Sequence, residues 1–277
     1  MSLVITAGEV KKLRDITGAG MSDCKNALIE GNGDFDAAIE YLRKRGQKLA
    51  ANRADREAKE GVVLAAISED RTKGIIVRLS CETDFVAKNE DFVALTDRIA
   101  QLALAKFPEN REALLALDFD GISLADKIAE QTGVIGEKLE LSAYERIEAP
   151  MVAPYIHMGN RAAVIVGLNK ADNSFFDAGR DVAMQVAAMK PLAVDKDGVD
   201  ASIVEKEIEI GKEQARLEGK PEAMLEKIAI GKLNKFYQEN TLLGQTFVKD
   251  GKSSVADYLK KIDSGLTVTG FKHVALG

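Results

Sequence analysis

The sequence feature that most constrains the fold is a layout of segments that occurs twice. Residues 61–106 and residues 152–190 each contain two apolar, β-branched runs separated by a polar turn, followed by a stretch of helical periodicity. Such runs predict paired strands and an amphipathic helix. The two stretches match in layout more than in residue identity. Units of this kind form an antiparallel sheet with helices on one face, so the sequence predicts an α+β fold with two related subdomains.

The two copies predict specific elements. In the first copy we expect strands at 62–67 and 75–79 and a helix at 89–106, followed by helical patterns at 109–118 and 123–131. In the second copy we expect strands at 155–158 and 162–168, a helix at 175–189, a strand at 245–248, a helix at 254–262 and a closing strand at 266–274.

Residues 6–45 predict a bundle of three short helices. A capping-box pattern of Thr6 and Glu9 opens the first helix, and Gly18 ends it. Ser22 is the expected N-cap of the second helix and Asp34 that of the third. About 45 residues is near the lower size limit for a domain that folds alone.

Residues 199–240 interrupt the second copy with charged helical sequence that is divided at Pro221. Apolar residues at helical spacing favour a projecting helical hairpin of coiled-coil type over a purely solvated face, with its helices paired either within the hairpin or with another chain. The predicted domains are a three-helix domain at 1–46, a linker at 47–60, and core subdomains at 61–148 and 149–277. The hairpin, at about 199–240, is inserted in the second core subdomain.

Basic residues outnumber acidic ones between positions 43 and 60. We interpret this segment as a solvated, partly helical linker. A nucleic-acid patch is the alternative, but no aromatic residue interleaves the charges for base stacking.

Composition excludes several classes of protein. The chain has 277 residues, 46% hydrophobic content and a net charge of −6, which argues against a whole-protein nucleic-acid binder. Cys24 and Cys81 have no metal-ligand spacing, so we expect buried free thiols in a reducing compartment. The sequence shows no signal peptide and no apolar run of membrane-spanning length. We therefore expect a cytoplasmic protein without a membrane partner.

The sequence contains no residue pattern that indicates a catalytic site. The only histidines, His157 and His273, have no metal spacing and belong to no Ser-His-Asp pattern. Gly251-Lys252-Ser253 resembles the end of a phosphate-binding loop, but Thr246 stands where that motif requires glycine. The sequence therefore predicts a protein that acts by binding, with no cofactor and no metal.

Residues 80–92 join an apolar strand to a strong helix, and Phe85 lies inside this junction next to Asp84. Loops held by rigid elements often carry function. A core phenylalanine seldom has such charged neighbours, so we expect the Phe85 ring to be presented to a partner.

Four segments carry a resemblance to a known family. They are residues 17–28 (TGAGMSDCKNAL), 81–88 (CETDFVAK), 155–159 (YIHMG) and 269–271 (TGF). In sequence, order and spacing, the chain resembles bacterial elongation factor Ts along nearly its whole length.

The resemblance implies a guanine-nucleotide exchange factor for elongation factor Tu in translation elongation. It implies an N-terminal domain of ubiquitin-associated type, followed by the core and hairpin predicted above, and a possible homodimer or 2:2 complex. Residues implied to act near the partner's magnesium and nucleotide are Thr83, Asp84, Phe85 and Val86. Other implied partner contacts are Arg14, Met21, Ile135 and His157.

Three points stay open at this stage. Met21 either contacts the partner or plugs its own small bundle. Ser22 stands where some relatives carry a second Met, and the chain stops at Gly277 where some continue into a helical extension, so we expect those contacts to be weaker or missing. An RNA-binding protein using residues 43–59 and a hydrolase using His157 are the rival functions.

Overall fold

A computed structural model describes residues 4–157 and 159–277 of the chain. The chain divides into two compact units. The first contains Met1–Leu64, Val77–Glu145 and Ala275–Gly277, and the second contains Ala65–Ile76 and Arg146–Val274. The mixture of helices and short antiparallel sheets confirms the α+β class.

The first unit begins with three helices, α1 (Ala7–Thr17), α2 (Met21–Glu30) and α3 (Phe35–Asn52). The capping box of Thr6 and Glu9 is present, Gly18 caps the end of α1 with φ +70°, and Asp34 caps α3. The predicted N-cap Ser22 is wrong: the cap is Gly20, two residues earlier, and α2 begins at Met21. The three-helix core is small and includes Leu13, Cys24, Ala27, Leu28 and Ala38.

The first sheet has strands in the order β1 (Glu60–Ile67), β2 (Lys73–Cys81) and β5 (Glu140–Glu148). Between β2 and β5 lie α4 (Asp84–Ala87), α5 (Glu90–Lys106), α6 (Arg111–Leu115), a two-residue hairpin of β3 (Asp118–Phe119) and β4 (Ile122–Ser123), and α7 (Leu124–Ile135). The predicted strands and the long helix are confirmed. The sequence did not predict β5.

The second sheet has strands in the order β6 (Met151–His157), β7 (Ala162–Leu168) and β8 (Val268–Ala275). β6 and β7 are antiparallel, with Tyr155 opposite Val164. The predicted strand at 155–158 covers only the last three residues of β6, which begins four residues earlier, at Met151; its last predicted residue, Met158, lies outside the described residues. α8 (Phe176–Met189) packs on this sheet, and its Val182, Ala183 and Val186 are fully buried.

The inserted hairpin consists of α9 (Ala201–Leu217) and α10 (Glu222–Asn240), as predicted. A Cβ added at Gly211 would lie 3.1 Å from the Cα of Ala229, so the two helices are in close contact. Ala215, Leu225 and Leu233 are buried along this contact. The helices therefore pair with each other over much of their length.

The predicted strand at 245–248 is wrong. This segment makes only one isolated bridge, from Thr246 to Ser254, before α11 (Val255–Ile262). The side chain of Gln185 accepts a hydrogen bond from the N–H of Val248 and donates one to the carbonyl of Thr246. A buried side chain thus satisfies backbone groups that a neighbouring strand would otherwise pair.

Candidate functional site: the Thr83–Val86 segment and its surroundings

The Thr83–Val86 segment folds as one short helical turn between two rigid elements. β2 ends at Cys81, and the Thr83 side chain caps α4 by accepting a hydrogen bond from the N–H of Val86. Asn89 then caps α5, whose Phe92 and Ile99 are buried. The strand and the long helix therefore fix both ends of the turn.

Phe85 lies at the exposed tip of this turn, with 83% of its surface accessible. Burying an aromatic ring is a large source of contact free energy, and here that surface remains in water. An exposed ring on a supported turn is what a contact with a second molecule requires. The expectation of an exposed Phe85 is thus confirmed, while its role stays a prediction.

Asp84 is next to Phe85 and is paired within the same turn. Its carboxylate lies 2.6 Å from the ammonium of Lys88, and this side-chain hydrogen bond lowers the pKa of Asp84 from its ordinary value. Asp84 is therefore ionised at neutral pH. Both side chains are solvent-exposed enough for the carboxylate to exchange Lys88 for another partner.

Behind the turn, Cys81 is buried. Burial raises the pKa of the Cys81 thiol to about 12, so the group stays protonated, and its Sγ donates a hydrogen bond of 3.2 Å to the carbonyl of Thr83. The other cysteine, Cys24, is also buried and free. The prediction of two buried free thiols is confirmed.

An open groove of about 400 Å³ borders the segment. Its walls come from the α1–α2 turn, α4, α5 and the end of α7, with Gly18, Val86, Asn89, Asp91, Phe92, Leu95, Gln131, Val134 and Ile135 as lining residues. The structure thus brings together Val86 and Ile135, two of the residues predicted to face the partner. Ile135 is the last residue of α7, just before Gly136 with φ +81°.

Arg14 and Met21 lie on the three-helix bundle. Arg14 is exposed in the last turn of α1, and Met21, the first residue of α2, is 42% exposed. Met21 is not a member of the buried bundle core. The alternative that Met21 plugs its own bundle therefore loses support.

His157 belongs to the second compact unit and is described separately. It is exposed at the end of β6, and its Nδ1 lies 3.1 Å from the hydroxyl of Tyr155. Among residues 4–157 and 159–277, no group of three or more His, Cys, Asp or Glu side chains could hold a metal ion. No observation favours a hydrolytic site at His157.

The basic residues between positions 43 and 59 are mostly paired with acids of the same chain. The pairs are Arg43 with Glu130, Lys44 with Glu40, Arg45 with Asp23, Arg53 and Arg56 with Glu82, and Lys59 with Glu57. Phosphate binding would have to compete with these carboxylates. The structure gives no support to the nucleic-acid interpretation of this segment.

Sequence reasoning missed two acids beside the segment, Glu82 and Glu137. The carboxylate of Glu137 accepts hydrogen bonds from the Thr83 hydroxyl, at 2.6 Å, and from the backbone N–H of Thr83, at 3.0 Å. Glu82 accepts hydrogen bonds from Arg53, Arg56 and the backbone of Lys138. Both acids looked like ordinary surface charges, because their partners are distant in sequence.

Comparison with known proteins places these features in a family context. The family model described as "Elongation factor TS" matches residues 82–277. A protein of Christiangramia forsetii named elongation factor Ts is 54% identical over 273 residues, covering 99% of both chains. A protein of the same name from Flavobacterium psychrophilum is 55% identical over 99% of both chains. Another from Chloroherpeton thalassium is 47% identical, over 96% of this chain and 94% of its own length. Within the described residues, no helix combines the length and apolar character needed to cross a membrane.

Proposed function

Because this chain belongs to the elongation factor Ts family and so has a role in translation elongation, we propose that it promotes GDP release from elongation factor Tu. The observation that carries this proposal is the 83% exposed ring of Phe85 on a turn held between β2 and α5. The chain acts by binding, and no covalent bond is made or broken.

The proposed mechanism acts through the partner's magnesium ion. Mg²⁺ requires nearly ideal octahedral oxygen coordination, so small displacements of its ligands weaken its binding strongly. Phe85 inserts beside that site and gains free energy when its ring is buried, which compensates for displacing the partner's loops. Asp84 then offers its carboxylate to polar groups near the site in place of Lys88.

Loss of the magnesium ion weakens the binding of GDP to the partner, and GDP dissociates. Binding of GTP then releases the factor. The coupling between factor and nucleotide must be reciprocal: the factor weakens nucleotide binding by the same ratio that nucleotide weakens binding of the factor. Thr83 and Val86 flank the inserting pair and define its orientation.

Docking uses surfaces away from the nucleotide. Arg14 and Met21 on the bundle bind the partner's GTP-binding domain, and Ile135 and His157 make further partner contacts. An apolar side chain that is exposed in the free protein, such as that of Met21, can act as an interface anchor when a partner buries it. Met21 at 42% exposure fits this role.

The hairpin contributes to assembly. Leu217 is 80% exposed, and Ile210, Met224 and Ile230 are also exposed apolar residues on α9 and α10. Apolar side chains left outside the contact between the two helices favour association of two copies of the chain. A homodimer or a 2:2 complex with the partner is therefore part of the proposal.

The test is release of fluorescent GDP from purified elongation factor Tu, with and without this protein. We expect catalytic amounts of the protein to accelerate release, and excess magnesium to slow it by refilling the displaced ion's site. Release at the spontaneous rate over a range of protein concentrations would overturn the proposal.

A further inference from the structure

The Glu137 side chain, which is distant in sequence, forms hydrogen bonds with the start of the Thr83–Val86 segment. It directly follows Gly136, whose φ of +81° turns the chain at the end of α7. Its carboxylate accepts three hydrogen bonds: from the Thr83 hydroxyl at 2.6 Å, the Thr83 N–H at 3.0 Å and the Glu82 N–H at 3.1 Å. One side chain thus fixes two consecutive peptide units immediately before α4.

Glu82 makes the reciprocal contact with the backbone beside Glu137. Its carboxylate accepts a hydrogen bond of 2.6 Å from the N–H of Lys138, next to Glu137, and it also binds the guanidinium groups of Arg53 and Arg56. The Lys138 ammonium donates to the carbonyls of Ala54 and Arg56. Each of the two acids therefore binds the backbone beside the other, and the end of α3 is tied to the same point.

A four-residue helix needs such support. Helix nucleation is unfavourable, and isolated helices much shorter than about 12 residues do not persist in water. The capping hydrogen bond of α4, from the Val86 N–H to the Thr83 hydroxyl, is long at 3.5 Å. Because the Thr83 hydroxyl gives its proton to Glu137, its lone pairs remain oriented toward the helix.

We propose that Glu137 is a positioning residue for the exchange reaction: it holds the Thr83–Val86 segment in one orientation so that Phe85 enters the partner without a search through conformations. This inference rests on the proposed exchange function. Contacts that are made fully only while the nucleotide is leaving set the rate of its release, so a misplaced Phe85 ring lowers the maximal rate. Glu137 does not itself need to contact the partner.

A positioning role and a purely structural role predict different results. If Glu137 only stabilises the fold, its removal lowers the melting temperature while each folded molecule exchanges normally. If it positions Phe85, its removal lowers the maximal rate of GDP release at saturating factor. The half-saturating concentration changes little, because Arg14 and Met21 still dock.

The test compares Glu137→Ala, Glu137→Asp and Glu137→Gln with the exposed control Glu109→Ala. Alanine removes all three hydrogen bonds, and aspartate withdraws the carboxylate by one methylene. Glutamine keeps an oxygen for the two backbone N–H groups but turns an N–H donor toward the Thr83 hydroxyl, so it retains two of the three hydrogen bonds and reverses the third. Amide hydrogen exchange at Glu82 and Thr83 in the free protein reports the contact independently of the partner.

We expect Glu137→Ala to accelerate hydrogen exchange at Glu82 and Thr83 but not within α5. It should lower the maximal rate of GDP release by about 10-fold or more, which corresponds to a loss of about 1.4 kcal/mol of the contact free energy that Phe85 supplies while the nucleotide leaves. Glu137→Asp should act in the same direction to a smaller extent, and it carries the test if the alanine variant does not fold. Glu137→Gln, which keeps the two backbone hydrogen bonds, should lose less of the maximal rate than Glu137→Ala, and Glu109→Ala should match the wild type.

Unchanged maximal release together with faster local hydrogen exchange would overturn the positioning role and leave the exchange function standing. A rate loss that tracks the unfolded fraction would do the same. Failure of the wild-type protein itself to release GDP would instead overturn the exchange function, and this inference with it.

Discussion

Gly133 on α7 packs so closely against Gly46 on α3 that a Cβ added at position 133 would lie 2.6 Å from the Cα of Gly46. A Cβ at Gly46 would in turn lie 3.0 Å from the carbonyl oxygen of Ala129. The two helix backbones are therefore in direct contact. Val134, the next residue of α7, packs against the bundle core. The helix that ends at Ile135 thus also anchors the N-terminal bundle.

We expect Gly133→Ala to destabilise the protein even though alanine favours helices. The added methyl group meets backbone, which cannot rotate away, so α3 and α7 must separate. Overpacking of this kind typically costs about 1–3 kcal/mol. The matched control is Gly231→Ala in α10, where nothing lies within 4 Å of the added Cβ. That variant should gain up to about 1 kcal/mol from helix propensity. Urea unfolding of both variants checks the prediction, and a stabilised Gly133→Ala would contradict it.

Met21→Ala should weaken complex formation by about 1 kcal/mol or more if Met21 is an interface anchor. Its melting temperature should hardly change, because a side chain 42% exposed and outside the bundle core leaves no cavity when truncated. The control is Ile29→Ala, an apolar truncation on the same helix at 47% exposure. Titration of the partner with each variant measures the affinity. Equal affinity of both variants and the wild type would exclude Met21 from the interface.

Glu82 should make the stability of the protein depend on pH in the acid range. Burial raises the pKa of the Glu82 carboxyl, but the N–H of Lys138 and the guanidinium groups of Arg53 and Arg56 outweigh burial and lower the pKa from 4.5 to about 2. A lowered folded-state pKa means that the contribution is full above pH 4.5 and is lost as the pH falls toward 2.

The variant Glu82→Gln isolates this contribution. Its free energy of unfolding should be clearly below that of the wild type at pH 7, and the difference should shrink by about half or more at pH 3. Urea unfolding at the two pH values measures it. A difference that is constant between pH 7 and pH 3 would show that the charge on Glu82 does not stabilise the fold.

The hairpin should be dispensable for folding. Its buried residues Ala215, Leu225, Ala229 and Leu233 pack between α9 and α10, and an Ala193–Thr241 bridge closes its base. We expect a variant with a short Gly-Ser linker in place of residues 200–238 to melt cooperatively. Light scattering should show a change of oligomeric state. Loss of the cooperative transition would contradict the prediction.

Most elements could be predicted from the sequence, because their signals are local. Periodicity located β6, β7, α5 and the hairpin, and the cap at Thr6 could be read from two residues. β5 was missed because charged residues dilute its apolar pattern, and its pairing with β2 is a long-range contact. The strand expected at 245–248 does not form, because the side chain of Gln185, which is distant in sequence, makes the hydrogen bonds to the Thr246 carbonyl and the Val248 N–H.

The candidate site shows the same division. The resemblance located Thr83–Val86 and suggested Ile135, and an exposed Phe85 could be anticipated from its charged neighbours. The hydrogen bonds and ion pairs that hold the segment could not be anticipated from the sequence. Glu137 and Thr83 are 54 residues apart, and Arg53 and Glu82 are 29 residues apart. Local pattern does not encode which carboxylate meets which backbone N–H.

In the proposed mechanism, Phe85 acts on the partner and not on its own fold. The control is Phe247→Ala, which truncates a ring that is only 2% exposed, in the core of the second compact unit. Truncating such a buried ring costs about 3–5 kcal/mol, so this variant should melt far lower and yet exchange normally per folded molecule. Phe85→Ala, with its ring 83% exposed, should instead melt close to the wild type.

The most direct measurement is the rate of fluorescent GDP release from elongation factor Tu at saturating Phe85→Ala, on protein whose folded fraction has been confirmed by its melting curve. We predict a severe loss of release with an unchanged melting temperature. Release at the wild-type rate per folded molecule would contradict the proposed mechanism.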